Sequence, residues 1–404
     1  MMPADKPGIE GALSIRLTLA AGRVDRVDVR SSRPLGAARL FVGKPIDQVL
    51  TTIPLLYGVC ATAQAAAAVQ AAEQALGCCA DLRQQRAREM LVLIETAREH
   101  LVRVLIGWNQ WLGEQPSVDA LRFVGRLKSM WTSTLYPDGD GFRPGGGNLA
   151  LDADRLQDLI VELSDLLEVH VLGLDYVERL REMDADALVR WADTGGTGAA
   201  RLLGTILEQG RGGLGRSEVP ILGAVDPVEV AQRLDRQDAD SFIAAPVWRG
   251  EPRETGALAR ERDAPLVRSL TERYGNGLVT RQAARLSELA RLPGRLRSLL
   301  SAVMSDSENS GAILGPQHMP DVIDQRGLGI VEAARGVLVH RLALDGDRVR
   351  GYRILAPTEW NFRADGALAR GLCGLQADAG LRRLVSLLVD AIDPCVGYQL
   401  EVVD

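Results

Sequence analysis

The sequence predicts a mainly α fold with small β-hairpin elements, an α+β architecture in one domain over 1–404. Two observations carry this. Apolar residues recur at helical spacing through a long body, 45–304. Two short stretches near the ends instead alternate with period two around turn residues, giving an N-terminal hairpin at 9–30 and a C-terminal hairpin and helix at 330–404. Aromatics are scarce at 4%, so the core is expected to be aliphatic.

In the first hairpin Leu13, Ile15, Leu17 and Leu19 alternate, Ala20-Ala21-Gly22 turns the chain, and Val24, Val27 and Val29 return. An alanine-rich helix is expected over 61–76, ended by Gly77, and another from Ala80 to about Trp111. Residues 137–148, with three consecutive glycines, read as loop. Helix follows at 151–170 and around 174–193. The glycine-rich segments 195–204 and 209–215 read as loops or a hinge. Helix resumes at 226–236 and about 264–304. Residues 337–344 alternate, Asp345-Gly346-Asp347 turns, and Val349 to Leu355 return. A helix over about 367–391 then feeds into Asp393-Pro394-Cys395.

The net charge of -6 argues against a nucleic-acid partner, which calls for a basic patch. No run of about 18 apolar residues is present, so membrane insertion is not expected, and no signal peptide is legible. The expected compartment is the reducing cytoplasm. Five cysteines in no regular pattern do not suggest a disulfide framework. Cys78, Cys79 and Cys373 are expected to pack structurally. No serine-histidine-aspartate set and no phosphate-binding glycine loop is readable.

Several short segments stand in a telling order: Ile9-Glu10-Gly11; Tyr57-Gly58-Val59-Cys60 with Gln64; Trp248-Arg249-Gly250-Glu251-Pro252 through Arg260; Glu332-Ala333-Ala334-Arg335-Gly336 with His340; Pro357-Thr358-Glu359-Trp360-Asn361; and Asp393-Pro394-Cys395. Together they resemble the large subunit of nickel-iron hydrogenases, from about residue 9 to the end, although 112–240 carries no matching motif. In that family two Cys-x-x-Cys motifs supply four thiolates to nickel and iron. Here each motif keeps one cysteine, Cys60 and Cys395. Tyr57 and Tyr398 stand where the other two belong. Gln64 and Glu401 replace the motif histidines, Leu55 the leading arginine, and Ala334 the proline before Arg335.

Soft thiolates select nickel or low-spin iron, and two of them cannot complete a bimetallic site. The resemblance therefore implies that no nickel is held. It leaves an iron-dicyanide-carbonyl fragment, bound at least transiently, with Cys60 and Cys395 as metal ligands and Arg335 and Thr358 as donors to the cyanides. The helix start at Cys60 is expected to lower its thiol pKa. Among such proteins the chain is most similar to hydrogenase assembly proteins of the HupK/HoxV type, shortened large subunits with eroded cysteine motifs. That implies a non-catalytic maturation factor, a scaffold or carrier for the iron fragment. Its partners would be the hydrogenase large subunit and other maturation proteins. An end three residues past Glu401 would leave no peptide for a processing protease. The alternatives are a divergent hydrogenase or hydrogen-sensing subunit, and a metal-free docking mimic of the large subunit.

Overall fold

The computed structural model describes residues 11–34, 36–180, 182–309 and 325–404. Glu10 and His318 lie outside them. The first hairpin forms as expected: β1 (Leu13–Ala20) pairs antiparallel with β2 (Arg23–Ser31). Next come α1 (Ile46–Leu56), a single tight turn over 58–60, and α2 (Ala61–Leu76), which Gly77 closes at φ 66°. α3 (Leu82–Val102) starts on Asp81, whose carboxylate accepts the Gln84 N–H, and runs on through a π-helical turn to Leu112.

The helical body adds α4 (Val118–Leu135), α5 (Ala153–Leu167), α6 (Ala185–Thr194), α7 (Gly198–Glu208) and the long α8 (Leu278–Asn309), with shorter helices between 227 and 274. Leucines from these helices close around Trp108, Trp131 and Trp191. No single described helix is long and apolar enough to cross a membrane.

The expected loop at 195–204 is largely helix. Thr197 accepts the Ala200 N–H and starts α7, and Gly204 lets α7 approach α6, since a Cβ there would lie 3.0 Å from the Ala192 carbonyl oxygen. Glycine here marks a helix crossing instead of a break.

The C-terminal third holds more strand than expected. β3 (Arg326–Ala333), β4 (Gly336–Asp345) and β5 (Arg348–Leu355) form an antiparallel sheet in the order β3-β4-β5. The alanine-rich α2 lies flat against β3. A Cβ on Gly329 would stand 1.9 Å from the Ala67 carbonyl oxygen, and one on Gly327 1.7 Å from that of Ala71. Small residues on both elements thus permit backbone contact. Gln74 and Gln70 side chains accept the N–H groups of Leu328 and Ile330, so the edge of β3 is satisfied by a helix.

After β5 come α9 (Pro357–Asn361), α10 (Ala367–Leu372) and α11 (Leu381–Ile392). The single helix expected over 367–391 is broken: Gly374, at φ 79°, donates to the Val24 carbonyl and docks the break against β2. The chain then finishes as β6 (Tyr398–Val403), parallel to β1 with Leu13 opposite Tyr398. This last pairing sets the C-terminal strand beside the first hairpin.

Candidate functional site

Cys60 sits on the turn before α2 and Cys395 three residues past the end of α11. Both are buried free thiols. Their sulfurs are within hydrogen-bonding reach of one another. Cys60 is raised well above the usual thiol range by its hydrogen bond to Cys395 and by burial. Cys395 is lowered by that same bond, helped against burial by Arg335, Arg33 and Thr358. The expected depression at Cys60 thus falls on Cys395. At Cys60 the bond to Cys395 and burial act first, and Glu95 of α3 adds to them: its carboxylate accepts the N–H groups of Thr62 and Ala63 at 2.7 and 2.9 Å and so occupies the positive end of α2.

Behind Cys60 runs a buried polar chain. The Gln64 amide donates to the Cys60 sulfur at 3.7 Å, while its oxygen lies 2.9 Å from His340 Nε2. That orientation makes Nε2 the protonated nitrogen of His340, so Nδ1 accepts from the Tyr352 hydroxyl at 2.8 Å. Burial and Arg33 lower His340 to about 3, so it stays neutral. His340 is held by packing and hydrogen bonds.

Arg335 occupies the two-residue turn between β3 and β4. It pairs with Glu99 at 3.1 Å and Asp393 at 3.3 Å, while Glu332 is taken by Arg260. Its Nη1 is buried without a hydrogen-bond partner among the described residues. Gly336 at φ 126° lets the turn close against Thr255, and Asn361 of α9 bonds both Thr255 and the Arg335 carbonyl. Asp393 is also gripped by Arg103 and Arg285, and the three guanidiniums overcome burial to hold its carboxyl at about 2. Thr358, in the first turn of α9, accepts the Cys395 N–H at 3.4 Å and bonds the Cys395 sulfur.

The four residues singled out from sequence, Cys60, Cys395, Arg335 and Thr358, are therefore drawn to one place. The other cysteines are not: Cys78 is half-buried, and Cys79 and Cys373 are exposed, contrary to their expected packing. Among the described residues no group of three or more histidine, cysteine or acidic side chains is arranged to hold a metal ion. Cys60 and Cys395 stand as a pair of thiols.

Sequence reasoning missed Arg33, which carries no motif. It follows β2, pairs with Glu359 at 3.1 Å and lies 5.6 Å over the Tyr57 ring. Of the two tyrosines at lost ligand positions, Tyr57 stays at the site. Tyr398 instead bonds Ser386, with Asp390 and Arg103 near it.

This architecture is that of the large subunit of nickel-dependent hydrogenases. A profile of that family, "Nickel-dependent hydrogenase", matches residues 215–396. The reduced Ni-Fe-Se hydrogenase from D. vulgaris Hildenborough superposes with a TM-score of 0.66 at 17% identity, covering 93% of this chain and 94% of the other. Sequence relatives narrow the class. The hydrogenase expression/formation protein HoxV of Cupriavidus necator is 30% identical, over 96% of each chain. HupK of Bradyrhizobium diazoefficiens is 30% identical, over 93% of this chain and 91% of its own. HupV of Azotobacter chroococcum is 28% identical, over 97% and 99%. The chain belongs to this HupK/HoxV family of hydrogenase expression/formation proteins.

Proposed function

We propose that the protein acts in hydrogenase maturation as a non-catalytic carrier of the iron-dicyanide-carbonyl fragment, which it holds and passes to a large subunit. The observation behind this reading is the paired, buried Cys60 and Cys395 beside an arginine whose Nη1 is buried and unpartnered. Two thiolates suit one iron whose other positions are filled by its own diatomic ligands. A cyanide nitrogen is an anionic acceptor, and a buried guanidinium N–H without a partner suits it. Thr358 would serve a second cyanide by turning its proton from Cys395. With Tyr57 and Tyr398 at the other two ligand positions, nickel has too few soft ligands, which favours carriage over hydrogen chemistry. The large-subunit fold itself supports docking to the maturation proteins that recognise a true large subunit.

Infrared spectroscopy of protein purified anaerobically, after co-production with the hydrogenase accessory proteins, tests this. Cyanide and carbonyl stretches are expected in the wild type and lost in Cys60→Ser and Cys395→Ser. Their absence from the wild type, or full hydrogenase maturation with both cysteines replaced, overturns the proposal.

A further inference from the structure

Arg33 lies outside every recognisable motif, yet the fold builds a seat for it at the dithiol. Gly11, at φ 75°, backs onto it so closely that a Cβ would lie 2.6 Å from Arg33 Cα. The preceding residue, Ser32, is fixed against Ala12: its N–H and hydroxyl donate to the Ala12 carbonyl, and its hydroxyl oxygen accepts the Ala12 N–H. The guanidinium is then held between two neighbours of the site: Glu359, next to Thr358, and the ring of Tyr57, three residues before Cys60. Its side chain is 9% exposed. Its charge is felt by Cys395, Cys60 and His340.

Resting on the carrier role proposed above, we infer that Arg33 is a specificity-determining residue that makes the dithiol pocket favour a metal fragment bearing anionic ligands over a bare divalent cation. The charge count decides this. Iron(II) with two cyanides and a carbonyl is neutral; when two thiols release their protons to solvent and bind it, the assembly carries two negative charges. Zinc on the same two thiolates ends neutral. A fixed cation beside the sulfurs stabilises the first product and is nearly indifferent to the second. Arg335 supplies one such cation from the β3–β4 turn, and Arg33 supplies another from the end of β2. Glu359 balances Arg33 when no cargo is present, which lets the cation stay buried. Tyr57 thus contributes an aromatic face for the guanidinium where the related enzymes place a ligand.

The test uses the full chain with Cys78, Cys79 and Cys373 changed to Ser, so that only the dithiol binds metal. Arg33→Gln and Arg33→Lys are compared with this parent. Two quantities are read: cyanide and carbonyl band area per protein after co-production with the accessory proteins, and Zn2+ affinity of the reduced, cargo-free protein against a chromophoric chelator. Arg33→Gln is expected to lose cargo by about ten-fold or more with Zn2+ affinity unchanged within about three-fold, and Arg33→Lys to recover part of the cargo. Cargo and Zn2+ falling together would mean that Arg33 only supports the fold, and the inference fails. Equal bands in parent and Arg33→Gln defeat the inference alone. Bands absent even from the parent defeat the carrier reading and this inference with it.

Discussion

Asp393→Asn tests how the closing motif is held. Asp393 is 3% exposed and has φ 68°, a left-handed conformation that Asn tolerates as well as Asp does. The change removes the charge and keeps the backbone preference. Its carboxylate lies 2.7 Å from Arg103, 3.3 Å from Arg335 and 3.6 Å from Arg285. Together they bring it from 3.8 to about 2, a shift worth about 2.5 kcal/mol at 1.36 kcal/mol per unit. Because the folded-state pKa is the lower one, this stability is fully present above 3.8 and is lost as pH falls towards 2; by pH 3 roughly half is gone. The substitution should cost more than the shift alone, about 3–5 kcal/mol at pH 7, since three buried guanidiniums lose a counter-charge. Urea unfolding of both proteins from pH 7 to pH 3 measures it. The gap between wild type and variant should narrow by about 1 kcal/mol between pH 5 and pH 3. A gap below about 1 kcal/mol at pH 7, or one that stays constant on acidification, refutes the ion cluster as the anchor of Arg335 and Cys395.

Other outcomes follow from the same geometry. Gly329→Ala must push α2 off β3 by more than an ångström to bring its Cβ from 1.9 Å to the 3.0 Å limit of real contacts, and should lower stability by about 1–3 kcal/mol or more. Gly351→Ala, whose Cβ would meet nothing within 4 Å, is the matched control and should change the urea midpoint little. Tyr352→Phe leaves His340 Nδ1 as a buried acceptor without its donor and should cost about 1–3 kcal/mol. By nuclear magnetic resonance, the His340 ring should show no titration between pH 5 and pH 8, and a midpoint in that range would contradict its burial.

Much of this was legible where local chemistry decides structure. Alternating apolar residues and an Asp-Gly turn marked β1, β2, β4 and β5, and Gly77 ended α2 as its position suggested. The meeting of Cys60 with Cys395 was readable only because each kept part of a known motif. What escaped depends on distant pairing. β6 is a strand because β1 offers its open edge, almost 400 residues away in sequence. β3 carries Gly327 and Gly329, which weaken any strand signal yet let α2 lie against it. Arg33 stands in Ser31-Ser32-Arg33-Pro34, and only its seat on Gly11, Tyr57 and Glu359 shows its place. The misplaced thiol shift has the same origin: helix position alone could not reveal that Cys60 is buried against Cys395, nor that Glu95, from another helix, already caps α2.

The four residues that stand at the lost cysteine and histidine positions divide by location. Gln64 and Tyr57, from the first motif, remain at the dithiol, one donating to the Cys60 sulfur and the other lying under Arg33. Tyr398 and Glu401, from the last motif, lie in β6, where Glu401 makes an exposed pair with Arg16 and Tyr398 bonds Ser386. An exposed pair such as Arg16–Glu401 contributes little, whereas a buried polar side chain without a partner is costly. Gln64 therefore has to answer to its neighbours, and it does so by linking His340 to Cys60. Returning cysteines to positions 57 and 398 would consequently not recreate a four-thiolate site by simple addition. Tyr57→Cys would remove the ring beneath a buried guanidinium, and Tyr398→Cys would act on a strand residue bonded to Ser386. The replacements of the first motif thus pack around the Cys60 sulfur, while those of the last motif lie in the sheet.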